Sequence, residues 1–225
     1  MNKIIFLTFV FVTFYSKSQV NYTTDEGASF QFDNVTSGAP IRVSENSGVK
    51  VKGSEFLNEE WQQATILDKK NKKKVTLLAR FNAYTREIEV LKVKDIVSLT
   101  PVDGISVQLA GKNFVPLKIK GVNKRIFAER LVQGKISLFR VYNTKIIKAV
   151  SDSNLLGIDN EDKLTIVDDL YYTNEVEEAI QLPSKKKIIT GLFDNETLNF
   201  IKKEKLSFKK EKDLARILEY YNSKN

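Results

Sequence analysis

Histidine and cysteine are both absent from the 225 residues, which removes the side chains that most nucleophilic and metal sites depend on. Ser-His-Asp and Cys-His nucleophiles are excluded, as are the His/Cys ligand sets of zinc. The ten glycines are scattered, with no GxGxxG and no GxxxxGK[ST] to cradle a phosphate, and no signature of a redox cofactor is visible. Carboxylate chemistry remains. Glycoside hydrolysis needs only two acids flanking the scissile bond, about 5 Å or about 6.5–9.5 Å apart. Glu59-Glu60, Glu87/Glu89, Glu129, Asp168-Asp169 and Glu177-Glu178 are available. A charged surface produces such pairs freely, however, and the single tryptophan, Trp61, offers few platforms for a sugar. The run Asp159-Asn160-Glu161-Asp162 supplies oxygen ligands of the kind calcium takes, but without EF-hand spacing. A solvated turn accounts for it more simply. No catalytic residue, cofactor or metal ligand is assigned.

Three residues stand out as candidate ligand or partner contacts: Trp61, Arg80 and Glu89. If Thr85-Arg86 is a two-residue hairpin turn, Phe81 sits opposite Val90 and Asn82 opposite Glu89. Arg80 then lies diagonal to Glu89, within reach on the same face. Such a pair either lines a polar site on the concave side of a sheet or pins strand register as a cross-strand ion pair. Trp61, following Asn58-Glu59-Glu60, reads in the same two ways, as a half-buried core plug or as a ligand platform.

The elements that must position these residues follow from period. Residues 19–39 are a polar lead rich in Ser, Thr, Asn and Gly, with one short strand near Phe30–Phe32. From Pro40 the alternation is that of strands. Val75, Leu77, Ala79 and Phe81 fall on one face, with Thr76, Leu78, Arg80 and Asn82 on the other. Similar runs follow at 95–100, 105–110, 113–119, 124–131 and 135–142, punctuated by Asp103-Gly104, Ala110-Gly111, Gly121 and Gln133-Gly134. One or two more strands are expected around 163–182. This rhythm predicts an α+β, mostly β fold: a curved antiparallel meander or partial barrel over residues 40–183. After Pro183 the period becomes helical. Ser184 is placed to cap a helix carrying Ile188, Ile189, Leu192 and Phe193. A second helix starts at Asp194 or Asn195, with Leu198 and Ile201 inward and Phe200 a further candidate for that face. A third carries Leu214, Ile217, Leu218 and Tyr221 at amphipathic spacing. Residues 184–225 are thus a small C-terminal helical unit that must bury its stripe on the sheet or on a partner.

The formal charge is +8. Its densest run is "ILDKKNKKKVTL", residues 66 to 77, with five lysines in positions 69–74. It lies between two alternating segments, so it reads as the wet tip of a hairpin, where lysines also discourage edge-to-edge aggregation. No module with basic residues interleaved among stacking aromatics is present, and nucleic acid is not an expected partner.

Residues 1–18 place Lys3 ahead of the apolar run Ile4–Tyr15 and the small residues Ser16 and Ser18, the pattern of a secretory signal. The apolar run is short of the ~20 residues that span a bilayer. Removal after Ser18 leaves a mature chain from Gln19 that is not an integral membrane protein, and without cysteine it carries no lipoprotein anchor.

Three stretches carry a resemblance. "KGSEFLNEEWQQATI" (Lys52–Ile66), "RFNAYTREIEV" (Arg80–Val90) and "KKIITGLFDNETLNFIKKEKLSFKKEKDLARILEYYNS" (Lys186–Ser223) resemble a group of exported Bacteroidota proteins of unknown function. The pattern is a glycine-serine-aromatic-leucine-asparagine start, an arginine-aromatic-asparagine strand and a lysine-rich helical tail ending in a tyrosine pair. Phe56 and Phe81 stand where the group has tyrosine. The resemblance implies a Gram-negative envelope, hence periplasm or outer membrane, and the ending, unlike a β-rich surface-sorting domain, favours the periplasm over an extracellular location. The expected role is an envelope accessory protein that binds a protein partner without catalysis, through a sheet edge or the amphipathic tail. The alternative is a carrier or sensor of an apolar or glycan ligand, with the sheet as cup and the helices as lid. A carboxylate-dependent glycoside hydrolase is the third reading.

Overall fold

The computed structural model describes residues 36–37, 51–92, 95–148, 161–174 and 178–224. The signal segment, most of the polar lead with the strand expected near Phe30, Asp159-Asn160 and Glu177 lie outside the described residues.

Twelve strands are described: β1 (Thr36–Ser37), β2 (Val51–Lys52), β3 (Gln62–Asp68), β4 (Lys73–Asn82), β5 (Glu87–Lys92), β6 (Asp95–Leu99), β7 (Ile105–Leu109), β8 (Lys112–Ile119), β9 (Ile126–Val132), β10 (Ile136–Ile147), β11 (Asp162–Asn174) and β12 (Glu178–Gln181). Three helices follow: α1 (Lys186–Thr190), α2 (Asn195–Lys203) and α3 (Glu211–Lys224). The fold is mostly β, a partly closed sheet with a small helical unit at its C-terminal end.

The lysine-rich run is a hairpin tip. Alternation ends at Asp68, whose carboxylate accepts the backbone N–H of Lys70 (3.0 Å) and Asn71 (3.1 Å), and Lys72 takes φ 53° to close the turn. β3 and β4 then pair from Asp68↔Lys73 to Gln62↔Ala79.

The β4–β5 turn departs from the two-residue expectation. Asn82 Oδ1 accepts from the N–H of Tyr84 (2.9 Å) and Thr85 (3.1 Å), and Arg86 adopts φ 59°. The side chain thus holds a longer loop open. The register becomes Asn82↔Glu87, Phe81↔Ile88 and Arg80↔Glu89, two residues from the expected one. A shift of two keeps every side chain on its face, and it brings Arg80 directly opposite Glu89 rather than diagonal to it.

The strand order is β1-β6-β5-β4-β3-β7-β8-β12-β11-β10-β9, with β9 returning to pair β8. Two pairings are parallel, β2 with β11 and β12 with β8, and the other pairings among the described residues are antiparallel, so the sheet is mixed and mostly antiparallel, as expected. β7 accompanies β8 only as far as Phe114. β12 then takes its place beside Lys118 and Ile119, and it arrives from the β11 hairpin running in β8's own direction. Strands β8 to β12 form a ring around Val115, Leu117, Ala128, Phe139 and Val141. On the other side of β8 the sheet continues through β7, β3, β4, β5 and β6, and β9 meets the β4–β5 loop across that curve, where Phe127 N–H donates to Arg86 O at 3.0 Å. Within that curve lies the larger core, including Ile66, Phe81, Val90, Phe114 and Phe127.

The helical unit covers a third cluster. Leu214, Ile217 and Leu218 of α3, with Ile189, Phe193 and Ile201, pack on Val132, Ile136, Leu138 and Tyr172, so the amphipathic stripe is buried on the sheet. Asp194 caps α2 by accepting Thr197 N–H at 2.7 Å. Ser184 caps nothing: α1 begins one residue later than its reach, with Lys185 at the cap position and no side-chain bond. Ile188 is 53% exposed, because a helix of under two turns can turn only one side to the sheet, and Ile189 occupies it. Phe200 does not enter the core but stacks on Tyr220, with ring centroids 3.8 Å apart.

Candidate functional site

Trp61, Arg80 and Glu89 are brought together. Residues 55–57 run back along the end of β4, where Leu57 N–H donates to Phe81 O and Ala83 N–H to Glu55 O. That lays the Phe56 ring on one side of the Arg80 guanidinium at 3.6 Å, with Trp61 on the other at 4.4 Å. Arg80 Nε and Nη2 both lie 2.8 Å from Glu89 Oε2, and Asn82 Nδ2 donates to Glu89 Oε1 at 3.2 Å. Glu89 is 2% exposed. A carboxylate so deeply placed persists only when paired and hydrogen-bonded, and here it is both. The guanidinium is engaged on its edge and on both faces, which fixes register and joins residues 55–61 to the sheet. Beside it lies a cleft of about 150 Å³ floored by Leu57, Phe81, Leu109 and Phe114.

A second charged group separates the larger core from the helix-covered one. Glu129 on β9 accepts Tyr142 Oη–H at 2.5 Å, Arg140 Nη1 at 3.1 Å and Lys112 Nζ at 3.1 Å to each oxygen. Arg140 also donates to Glu211 at the start of α3 and has Nε 3.4 Å from Asp168 Oδ2. Burial alone would lower the Arg140 pKa, but Glu211, then Tyr142 and Glu129, hold it well above the ordinary value. Burial likewise opposes the charge on Lys112, while Tyr142 and Glu129 raise its pKa. For Tyr142, burial and then Glu129 push the phenol up, outweighing Arg140 and Lys112, so it stays a proton donor to the carboxylate. Sequence reading included Glu129 among loose acids and missed the group. The signal was its parity: it shares a face of β9 with Phe127 and Leu131, where a core side chain belongs. Its β10 partners lie across a register shift at Leu138/Phe139 that no local pattern announces.

Most of the other candidate acids are also engaged. Glu87 accepts from Ser98 Oγ at 2.6 Å and pairs with Lys124, Glu178 pairs with Lys118 at 2.8 Å, and Asp169 accepts from Gln181 at 3.2 Å. Glu59 and Glu60 are exposed. Among the described residues no group of three acids is placed to hold a metal ion.

A cleft of about 760 Å³ lies between β11–β12 and the helices. Its floor is Leu170, Leu182, Ile189, Ile201, Leu206 and Phe208, and Asp168, Asp169 and Lys209 stand at its margin. The 206–208 connection between α2 and α3 contributes Leu206, Ser207 and Phe208 to its lining. This cleft was foreseen only as a general possibility, a sheet with helices as a lid.

No protein-family model, no curated protein and no solved structure matches the chain.

Proposed function

We propose that the chain is an exported envelope accessory protein that binds without catalysis, holding an extended segment of a partner protein in the cleft between β11 and the helical unit. The cleft carries the proposal. Its volume of about 760 Å³ is within the ~300–1,000 Å³ of binding pockets, and its floor is apolar. One wall is strand backbone. Among the described residues, β11 between Thr165 and Asp169 pairs only with β10, since β2 stops at Lys163 with Gly53 against Leu164 O, and Leu182 N–H donates to Leu170 O at 2.7 Å. A partner strand can add to such an edge while its side chains enter the apolar floor. Exposed Ile146, Ile147 and Val167 extend apolar surface along the same two strands. The helical tail is not the docking element, because its stripe is already covered.

The engagement of Glu87, Glu89, Glu129, Asp168, Asp169 and Glu178 favours binding over hydrolysis at those acids, since one acid must be free to protonate a leaving group. The N-terminal pattern and the resemblance support export to a Gram-negative envelope, and no helix among the described residues is long and apolar enough to cross a membrane. The cleft's helical roof supports a second reading, a carrier of an apolar or glycan ligand. A photo-crosslinking amino acid placed at Ser184, on the cleft margin, tests the first. Capture of one protein species there, and not from the exposed outer position Glu219, is expected in envelope preparations. Equal capture from both positions, or none from Ser184, refutes it.

A further inference from the structure

On β9, Ile126 and Ala128 point into the ring formed by β8 to β12, and Arg130 is the next residue on that face, paired with Phe139 of β10. Most arginines here have a carboxylate: Arg80 has Glu89, Arg125 has Asp103, Arg140 has Glu129 and Glu211, and Arg216 has Glu204. Arg130 has no hydrogen-bond or ion-pair partner among the described residues. It is half-buried, and burial lowers its pKa with no acid to offset the effect. A guanidinium withdrawn from water and left unpaired is costly.

The side chain lines a cleft of about 540 Å³ at the open end of the ring. The opposite wall is built from two turns, joined where Lys69 N–H donates to Gly104 O at 2.9 Å. Lys69 belongs to the lysine-rich hairpin tip, so one of those lysines faces a cleft. Ser106, only 6% exposed, also lines it, and its hydroxyl has no partner among the described residues. Val115 and Phe139 supply apolar wall. The acid on the lining, Asp103, is already paired with Arg125. A cationic, partly dry cleft with a free guanidinium fork and a free hydroxyl is therefore matched to an oxyanion.

We propose that this cleft binds a small organic anion, whose carboxylate or phosphate-type group is held by Arg130, with Lys69 and Ser106 as further contacts and Val115 and Phe139 against its body. The site is separate from the partner cleft and stands or falls independently of it.

The test is calorimetric titration of the mature chain with inorganic phosphate, galacturonate and phosphatidylglycerol vesicles, with galactose as the uncharged control. Saturable binding at one site by at least one anion, weakening with salt and absent with galactose, is expected. Arg130→Gln should weaken it by about tenfold or more, since a charge-assisted contact is lost. Arg86→Gln, away from the cleft, should leave it unchanged. Galacturonate alone points to a free acidic sugar, and phosphate together with vesicles points to a headgroup. Thermal melting supplies a second readout: Arg130→Gln should leave the melting temperature unchanged or raised, because no protein partner is lost. Absence of saturable binding, binding indifferent to Arg130→Gln, or a fall in melting temperature overturns the proposal.

Discussion

Replacing Arg80 by alanine separates a structural role for the Trp61–Arg80–Glu89 group from a binding role. The substitution leaves Glu89, 2% exposed, with Asn82 Nδ2 as its main remaining donor. Removing one member of a buried ion pair costs about 3–5 kcal/mol, and Arg80, with its side chain 17% exposed, belongs in the lower half of that range. Loss of the guanidinium between Phe56 and Trp61 adds about 0.5–1 kcal/mol per ring. The sum is roughly 5 kcal/mol, which in a chain of this size lowers the melting temperature by about 10–20 °C. Glu89→Leu alone costs less, because the Arg80 end can turn to water. The double variant Arg80→Ala/Glu89→Leu removes both charges and should lose less than the two single variants summed, giving a coupling of at least about 2 kcal/mol. Thermal and urea unfolding followed by circular dichroism reads all of these. A loss below about 1 kcal/mol for Arg80→Ala, or strict additivity in the double variant, refutes the reasoning and returns Arg80 to the list of ligand contacts.

Tyr142→Phe keeps the ring that meets Phe81 at 5.7 Å but removes a donor to the buried Glu129; an unfolding loss of about 1.5–3 kcal/mol is expected, and no loss would contradict the Glu129 geometry. Asp68 is a pH probe. Burial alone would raise its pKa, but the Asn71 side chain, then the backbone N–H of Asn71 and Lys70 and the charge of Lys73, bring it below the ordinary 3.8. Its stabilisation is present above the unfolded value and lost as pH falls through the lower folded one. The gap between wild type and Asp68→Ala should therefore narrow in acid below about pH 4, and a gap constant from pH 6 to pH 2.5 would contradict the assignment. Gly134→Ala should release the end of α3. The new Cβ would lie 2.3 Å from the Asn222 amide, which now clamps β10 by donating to Ile136 O at 2.9 Å and accepting Ile136 N–H at 3.0 Å. Hydrogen exchange of residues 217–224 and of Ile136 should rise, as it should in Asn222→Ala; unchanged exchange would refute the clamp.

Local features were legible in the sequence and pairings between distant segments were not. The alternation Val75–Phe81 gave β4, the lysine run between two alternating segments gave the hairpin tip, and the spacing Leu214–Ile217–Leu218 gave the buried face of α3. These depend on neighbours one turn or one strand away. The β4–β5 register was missed by two residues because the Asn82 side chain, a local competitor for backbone hydrogen bonds, enlarges the turn. The parallel pairing of β12 with β8 leaves no periodic trace in either strand. Among site residues, Arg80 and Glu89 were found because a single hairpin connects them. Glu129, Arg140 and Lys112 belong to three strands and meet only after the sheet closes. Arg130 looked like an ordinary strand charge, and only the missing partner distinguishes it.

The central claim, that the cleft beside β11 holds a partner protein, is tested most directly by native mass spectrometry of the tagged chain purified gently from its own cell envelope. It should be run beside a Phe208→Glu variant whose circular dichroism matches wild type. The expected spectrum is a stoichiometric protein companion on the wild-type chain that is missing from the variant. A companion retained equally by the variant contradicts the claim. So does a small mass that leaves on denaturation with no protein companion, which would make the chain a carrier.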